Sequence, residues 1–322
     1  MTESEPRIQV GTFVVAFYDI LGQSSRLGTW NGHLFPNGKD DSAWASMLQT
    51  IQEVARIRAD FNGFLNGFNS SSDGYHVAHP GLQEELERLP NYQDIMDALP
   101  RGRIYKQAFS DSNIWFTPAS DEQGNHFARQ IAFIVMGVAF AHLFALSRGT
   151  GCRGGIAIGN GTDALNKLGL SHGDEIYGPV LKSAYDLENL HAVYPRVVVA
   201  DQVVEFMAGL QTDTAQMEPG SVEQAVAINT NVAVHYLHGL TTMDFDGAIV
   251  VDYAGELASS LFKPLMESSG ISPEEVFLSA YRFVHKQIEH FSQDRNYKLS
   301  GRYESVMRYL RGRSQHWTTQ AL

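Results

Sequence analysis

TFVVAFYDIL at residues 12–21 and RIYKQAFSDSNIWFTP at residues 103–118 are the two stretches that decide the fold. The first is an apolar run of strand length, and the second consists of two alternating runs on either side of a bend, which is typical of a hairpin. Asp19 lies near the end of the first run and Asp111 lies at the bend. We therefore expect the two carboxylates to meet at one edge of a single sheet, although both could instead be surface turn residues.

Two carboxylates at a sheet edge are a favourable arrangement for divalent metal ions. Mg²⁺ and Mn²⁺ prefer oxygen ligands, retain part of their water shell and take further ligands from substrate phosphates. A convergence of Asp19 and Asp111 therefore predicts a site that holds two such ions against a triphosphate.

The composition narrows the classes of function. The chain has 322 residues, 36 of them acidic and 24 basic, and a formal net charge of -12. This charge argues against a broad nucleic-acid-binding surface, whereas metal ions and a few local basic residues can still attract a small anion. The single cysteine, Cys152, excludes an intramolecular disulfide and a zinc site built from cysteines, and we expect a cytoplasmic protein.

The longest apolar stretch, residues 127–148, has to be tested as a membrane span. Its unbroken apolar part extends only from Ile131 to Ala141, where His142 follows. This length is short of the roughly 20 residues that a membrane-spanning helix needs. We therefore expect no membrane span here, but a helix buried in a core or in a subunit interface.

The remaining pattern alternates between strands and helices. An amphipathic helix is expected at about 42–64, a long helix at about 125–148, and strands in CRGGIAIGNG and RVVVAD. The run DGAIVVDY is expected to close the sheet, and the residues beyond 254 are expected to be helical. The sequence predicts an α+β or mixed α/β sandwich.

The order of these motifs resembles that of the class III nucleotidyl cyclase catalytic domain. FYDILG at 17–22 and FSD at 109–111 are similar to that family's two metal motifs. RGGIAIG at 153–159 is similar to the strand whose leading arginine contacts the triphosphate. EIYGPVLKSAYDLE at 175–188 is similar to the stretch that carries the base-selecting and transition-state residues.

The resemblance implies a fold and a domain organisation. The fold would be a ferredoxin-like βαββαβ sandwich with extra strands, spanning residues 12–255 and carrying an insertion at about 60–100. Residues 256–322 would form a helical C-terminal extension.

The resemblance also implies a set of site residues. Asp19, Asp111 and the carbonyl of Ile20 would bind two Mn²⁺ or Mg²⁺ ions, and Arg153 would hold phosphate oxygens. The β- and γ-phosphates would lie against the backbone amides of Leu21, Gly22, Gln23 and Ser24.

The chain departs from the family at the transition-state positions. The family's asparagine corresponds to Lys182, and its arginine corresponds to Asp186. An acid cannot neutralise the negative charge that develops on phosphate, so Lys182 is expected to supply positive charge across a dimer interface, with Arg196 as a weaker candidate. Alternatively, the site is catalytically silent.

The base-reading positions also differ. The family's lysine and aspartate correspond to Gln107 and Glu175. Glu175 could accept a hydrogen bond from N3 of uracil while the amide of Gln107 donates to O4, whereas cytosine has the opposite polarity. Phe17 either stacks on the base or belongs to the core.

Together these features look most like the pyrimidine cyclases of bacterial anti-phage signalling. The resemblance implies a homodimer with active sites at the interface that converts UTP to 3′,5′-cyclic UMP and pyrophosphate, and a downstream effector that binds the product. Three alternatives stay open: a cytidylate cyclase that uses CTP, a purine nucleotide cyclase, and a silent nucleotide-binding module.

Overall fold

The computed structural model describes residues 10–21, 42–68, 84–99, 102–109, 112–120, 124–163 and 174–319. These residues form a mixed α+β fold around one seven-stranded sheet. The strands are β1 Gly11–Ile20, β2 Tyr105–Phe109, β3 Ser112–Pro118, β4 Cys152–Gly161, β5 Val197–Val199, β6 Thr241–Met243 and β7 Ile249–Val251.

The helices of seven or more residues in the described ranges lie between and after these strands. They are α1 Ser42–Phe68, α2 Tyr92–Ala98, α3 Ala128–Ser147, α4 Pro179–Asp186, α5 Asp201–Gly209, α6 Val222–Gly239, α7 Glu256–Ser268, α8 Pro273–Gln293 and α9 Tyr297–Arg313. A five-residue π-helical segment, Leu187–His191, continues α4, and a short 3₁₀ turn, Ser314–His316, follows α9.

The strand order is β2-β3-β1-β4-β5-β7-β6. β1 lies between β3 and β4 and is antiparallel to both, and β2 and β3 form the predicted hairpin. The one parallel pair of the described sheet is β4 with β5. DGAIVVDY was wrongly expected to close the sheet, because β6 pairs with the outer side of β7 and is the edge strand.

The sheet separates two apolar layers because successive side chains of a strand point to opposite faces. Val14, Ala16 and Tyr18 of β1 face the larger layer, which contains α1, α3 and the C-terminal helices. Phe13 and Phe17 face the smaller layer, which is covered by α4.

The larger layer is held together by close aromatic contacts. The ring of Phe61 on α1 stacks on Trp115 of β3, with 4.0 Å between the ring centroids. A pair of this kind contributes about 0.5–1.5 kcal/mol beyond the area that it buries. Gly137 of α3 allows the contact between the helices, since a Cβ there would lie 2.5 Å from Phe61.

The long apolar helix α3 is buried in this layer, as the sequence predicts. It is the one helix of the described ranges that is long and apolar enough to span a membrane, and 94% of its most apolar window is buried inside the protein. That environment is typical of the core helix of a soluble protein.

The C-terminal helices share the core of the sheet. Phe262, Phe277 and Val306 belong to the same cluster of buried side chains as Val14. The insertion expected at about 60–100 contains the end of α1 and all of α2, and residues 69–83 and 100–101 lie outside the described ranges.

Candidate active site

Asp19 lies on the smaller-layer face of the sheet. Phe13, Val15 and Phe17 point to this face, and Asp19 continues the alternation at the end of β1. The hydroxyl of Ser112, the first residue of β3, donates to Oδ1 of Asp19 over 3.0 Å. The start of β3 and the end of β1 therefore meet at one rim of the sheet.

Arg153 of β4 is the cross-strand partner of Asp19. Its guanidinium forms an ion pair through Nε with Oε1 of Glu188 in the π-helical segment, and the side chain of Glu188 is only 2% exposed. The expected phosphate-binding arginine is thus beside Asp19, but it is already engaged with a buried acid.

A pocket of about 760 Å³ opens on the same face of the sheet. Its floor comes from β1, β2 and β3, and its walls come from the loop at 174–178 and from α4. Phe17 lines this pocket, and Asp19 follows two residues further along β1. The lining residues are Phe17, Lys106, Gln107, Ile114, Asp174, Glu175, Ile176, Tyr177, Gly178, Leu181, Lys182 and Tyr185.

The loop at 174–178 is held by hydrogen bonds on both sides of Glu175, one set to the side chain of Asp174 and the other to the backbone of Tyr177. The backbone N–H of Lys106 donates to Asp174, and Tyr177 exchanges two hydrogen bonds of 2.9 and 3.0 Å with Thr162. Gly178 then adopts a φ of +122°, which glycine tolerates far better than other residues, and α4 begins at Pro179. These contacts hold Glu175 in the lining of the pocket.

The two base-reading candidates, Gln107 and Glu175, both line this pocket. The N–H of Ile176 donates to Oε1 of Gln107 over 3.1 Å, so the amide nitrogen of Gln107 is the group that can donate to a ligand. The hydroxyl of Tyr177 donates to Oε2 of Glu175 over 2.6 Å, and this hydrogen bond raises the pKa of the Tyr177 hydroxyl.

The two candidates for supplying positive charge are both paired with acids. Lys182 lines the pocket but forms an exposed ion pair with Asp186, one turn further along α4. Arg196 is a correction to the sequence prediction: its side chain is 4% exposed and binds Asp244 and Asp246 over 2.6 Å each. Burial alone lowers the pKa of Arg196, but the two aspartates outweigh it and raise the pKa above its ordinary value.

The predicted phosphate cradle is wrong for Leu21. Its N–H donates to the carbonyl of Gly151 over 2.9 Å, which extends the pairing of β1 and β4 by one residue. Gly22, Gln23, Ser24 and Asp111 lie outside the described ranges.

The remaining predicted residues are Phe17 and Ile20. Phe17 is 8% exposed and belongs to the smaller core, while its ring edge meets Tyr185 with 5.4 Å between the centroids. It therefore belongs both to the core and to the floor of the pocket. The side chain of Ile20 is buried in the larger layer, as expected for a residue that could offer only its carbonyl to a metal.

Sequence reasoning missed three side chains of the site. The sequence places Ser112 only at a bend and Glu188 only at the end of the motif at 175–188, whereas Ser112 donates to Asp19 and Glu188 is the buried partner of Arg153. Tyr177 was not considered, although its hydroxyl holds Glu175. Glu188 and Arg153 are far apart in the sequence, so no local pattern could have revealed their contact.

Among the residues that the structure describes, no group of three or more histidine, cysteine, aspartate or glutamate side chains could hold a metal ion. The predicted metal site consists of the carboxylates of Asp19 and Asp111 and the backbone carbonyl of Ile20. Asp111 lies outside the residues that the structure describes.

No family model matches the chain, and neither a curated protein nor a solved structure matches it.

Proposed function

We propose that this protein is a nucleotidyl cyclase that converts UTP to 3′,5′-cyclic UMP and pyrophosphate. The observation that carries the proposal is the 3.0 Å hydrogen bond from Ser112 to Asp19. Asp111 immediately precedes Ser112 in the sequence, so this contact supports the expectation that both aspartates share one rim of the sheet. The proposal includes the biological role that the resemblance implies, a signal in anti-phage defence that acts on a separate effector.

The topology supports the comparison with class III cyclases. The element order β1-α1-β2-β3-α3-β4 is that of a ferredoxin-like unit, once the short helix α2 is treated as an insertion. Its four strands are neighbours in the sheet, and all of their pairs are antiparallel. α1 and α3 share one face of the sheet, whereas α4 covers the other.

The residues expected at the rim would suit two Mg²⁺ or Mn²⁺ ions. Every donor is an oxygen, from the carboxylates of Asp19 and Asp111 and the carbonyl of Ile20, and hard divalent ions prefer such ligands. The hydroxyl of Ser112 donates to Oδ1 of Asp19 and helps to hold this carboxylate at the rim. When bound there, such ions lower the pKa of a ribose 3′-hydroxyl and offset charge on the phosphates.

The chain's own residues would position the nucleotide. Gln107 and Glu175 hold the base in the pocket, and Arg153 binds phosphate oxygens beside Asp19. The ribose 3′-oxygen forms a bond to the α-phosphorus, the bond from that phosphorus to the β-bridging oxygen breaks, and pyrophosphate leaves. The hydroxyl proton passes to water. Positioning and charge stabilisation supply most of the catalysis in such a transfer.

The orientation of Gln107 favours uracil over cytosine. Because Oε1 accepts from Ile176, the Gln107 amide presents N–H groups, which suit the O4 acceptor of uracil. At the same place cytosine carries an amino group, so two donors would face each other. A mismatched buried pair costs about 1–3 kcal/mol.

A homodimer is part of the proposal. Tyr177, Tyr185, Leu190 and Val193 lie around the pocket and along the π-helical segment, and each is more than 40% exposed. Large apolar side chains concentrated at one surface mark an interaction site. A second subunit on this face would cover them and close the pocket.

A catalytically silent nucleotide-binding module is the second candidate. The ion pair of Lys182 with Asp186 favours it, since the charge at the transition-state position is already neutralised. An exposed pair of this kind contributes only about 0.3–0.5 kcal/mol, so a triphosphate could displace it at little cost.

The deciding experiment is incubation of the purified protein with Mn²⁺ and each of UTP, CTP, ATP and GTP separately, with product identification by mass spectrometry. We expect cyclic UMP from UTP, and Asp19→Asn should lower its rate at least about a hundredfold, the scale on which lost transition-state stabilisation reduces kcat. Asp201→Asn on α5, which removes an exposed carboxylate, is the matched control and should retain activity. Preferred turnover of CTP or a purine would overturn the substrate assignment. Intact triphosphate in all four reactions would leave only the silent module.

A further inference from the structure

Glu188 is a buried carboxylate that pairs with a cation. Its side chain is 2% exposed, and it pairs with Nε of Arg153. A buried carboxylate without a nearby positive charge is strongly destabilised, whereas a surface carboxylate is not. The pair therefore couples the π-helical segment to β4 at the point where β4 runs beside Asp19.

The backbone around Glu188 packs closely on β4, the strand that carries Arg153. α4 ends at Asp186, and the chain continues as a π-helix, a conformation that occurs mostly as a single turn and frequently at functional sites. Gly155 of β4 lets this segment lie directly on the sheet, since a Cβ there would be 2.9 Å from the nitrogen of Glu188 and 2.6 Å from Cβ of Leu187.

We infer that Glu188 is a positioning residue, which holds the guanidinium of Arg153 so that its terminal nitrogens face the phosphates of the substrate. The ion pair places Oε1 of Glu188 against Nε, on the inner edge of the guanidinium, and this charge attraction favours orientations in which the terminal nitrogens face away from Glu188. This inference rests on the proposed function, because it assumes that a triphosphate binds beside Asp19.

A competing role of Glu188 predicts the opposite change in affinity. A carboxylate that binds Arg153 could compete with phosphate for the same guanidinium. If Glu188 competes, its removal tightens phosphate binding; if it positions Arg153, its removal weakens phosphate binding.

The test uses inorganic tripolyphosphate with Mn²⁺ as the probe and measures its affinity by isothermal titration calorimetry. Glu188→Gln keeps the size of the side chain and removes its charge. We expect it to weaken binding on the order of tenfold, within the range of coupling energies for residues in contact. Arg153→Gln should weaken binding at least as much, and the double variant should bind no more weakly than Arg153→Gln alone. Glu275→Gln on α8, which breaks the exposed pair with Arg282, is the matched control and should bind as the wild type does.

Other results separate the possible failures. Unchanged or tighter binding by Glu188→Gln would overturn the positioning role, even if its melting temperature falls, and so would full additivity in the double variant. Should Glu188→Gln fail to fold, Glu188→Asp keeps the charge but shortens the side chain; wild-type affinity in this variant would overturn the inference. If the wild type binds no tripolyphosphate while it folds normally, the proposed function fails and the inference fails with it.

Discussion

His142 is a titratable side chain sealed inside the larger layer. Its Nδ1 lies 3.0 Å from the hydroxyl of Tyr18, and its ring packs on Tyr253 with 4.5 Å between the centroids. Burial lowers the pKa of His142 from 6.5 to about 3. The imidazole is therefore neutral in the folded protein throughout the physiological range.

This pKa predicts a specific loss of stability in acid. Between pH 6.5 and about 3 the unfolded chain protonates His142 while the folded protein does not. The free energy of unfolding should therefore fall with decreasing pH in this window, by at most about 1.4 kcal/mol per pH unit from this residue. Urea unfolding at pH 4.5–7.5 should give a shallower pH dependence for His142→Gln than for the wild type.

Comparison with His235→Gln controls for the loss of a histidine as such, because His235 is exposed on α6. Parallel curves for His142→Gln and the wild type would show that His142 is not protected from protons in the folded state.

At the scale of elements, the contact between α4 and β4 depends on the absence of a side chain at Gly155. A Cβ there would lie 2.2 Å from the carbonyl oxygen of Ala184, which is a backbone atom and cannot rotate away. Gly159, four residues further along the same strand, has no such constraint, since its nearest neighbour would be Cβ of Val180 at 3.6 Å.

We predict that Gly155→Ala destabilises the protein by about 1–3 kcal/mol, the usual effect of overpacking a well-packed core. Gly159→Ala should be nearly neutral. Chemical denaturation of both variants measures the difference, and equal stabilities would contradict the close packing of α4 on the sheet.

The sequence predicts those elements whose apolar pattern is long and bounded by polar residues. β1, the hairpin β2–β3, α3 and the C-terminal helices were found for this reason. α6 was missed because its buried positions include Ala225, Asn229 and Ala233, which give no clear apolar stripe. β6 has three residues, too few for a pattern, and the π-helical turn after α4 has no sequence signal.

The same limit applies to the site. The pair of Lys182 and Asp186 has the spacing of neighbours on one helix face, so the sequence could have indicated it. The pairs of Asp19 with Ser112 and of Arg153 with Glu188 join distant segments. Only the strand register and the path of the chain after α4 bring them together.

At the scale of the whole molecule, the two faces of the sheet differ in how they meet solvent. The larger layer is enclosed by helices, whereas the α4 face retains exposed side chains such as Leu190, which is 63% exposed. Burial of a single leucine contributes about 1.5–3 kcal/mol, so a subunit contact there would be sensitive to one substitution.

We predict that Leu190→Asp shifts the proposed dimer to monomer and lowers the proposed turnover, because a charge would be buried in the proposed subunit contact. Light scattering coupled to size-exclusion chromatography measures the mass. Ile51→Asp on α1, at an apolar position that is 55% exposed on the other side of the sheet, is the matched control. A Leu190→Asp protein that stays dimeric would place the contact elsewhere.

The burial of the only cysteine has a practical consequence for such measurements. Cys152 is 0% exposed, and burial raises the pKa of its thiol far above the usual range. Thiol-directed probes should therefore not react with Cys152 in the folded protein. A cysteine introduced at Ser183, exposed on α4, would carry the sole label on each copy, so that a spin-label distance between copies could be read without first removing a native residue.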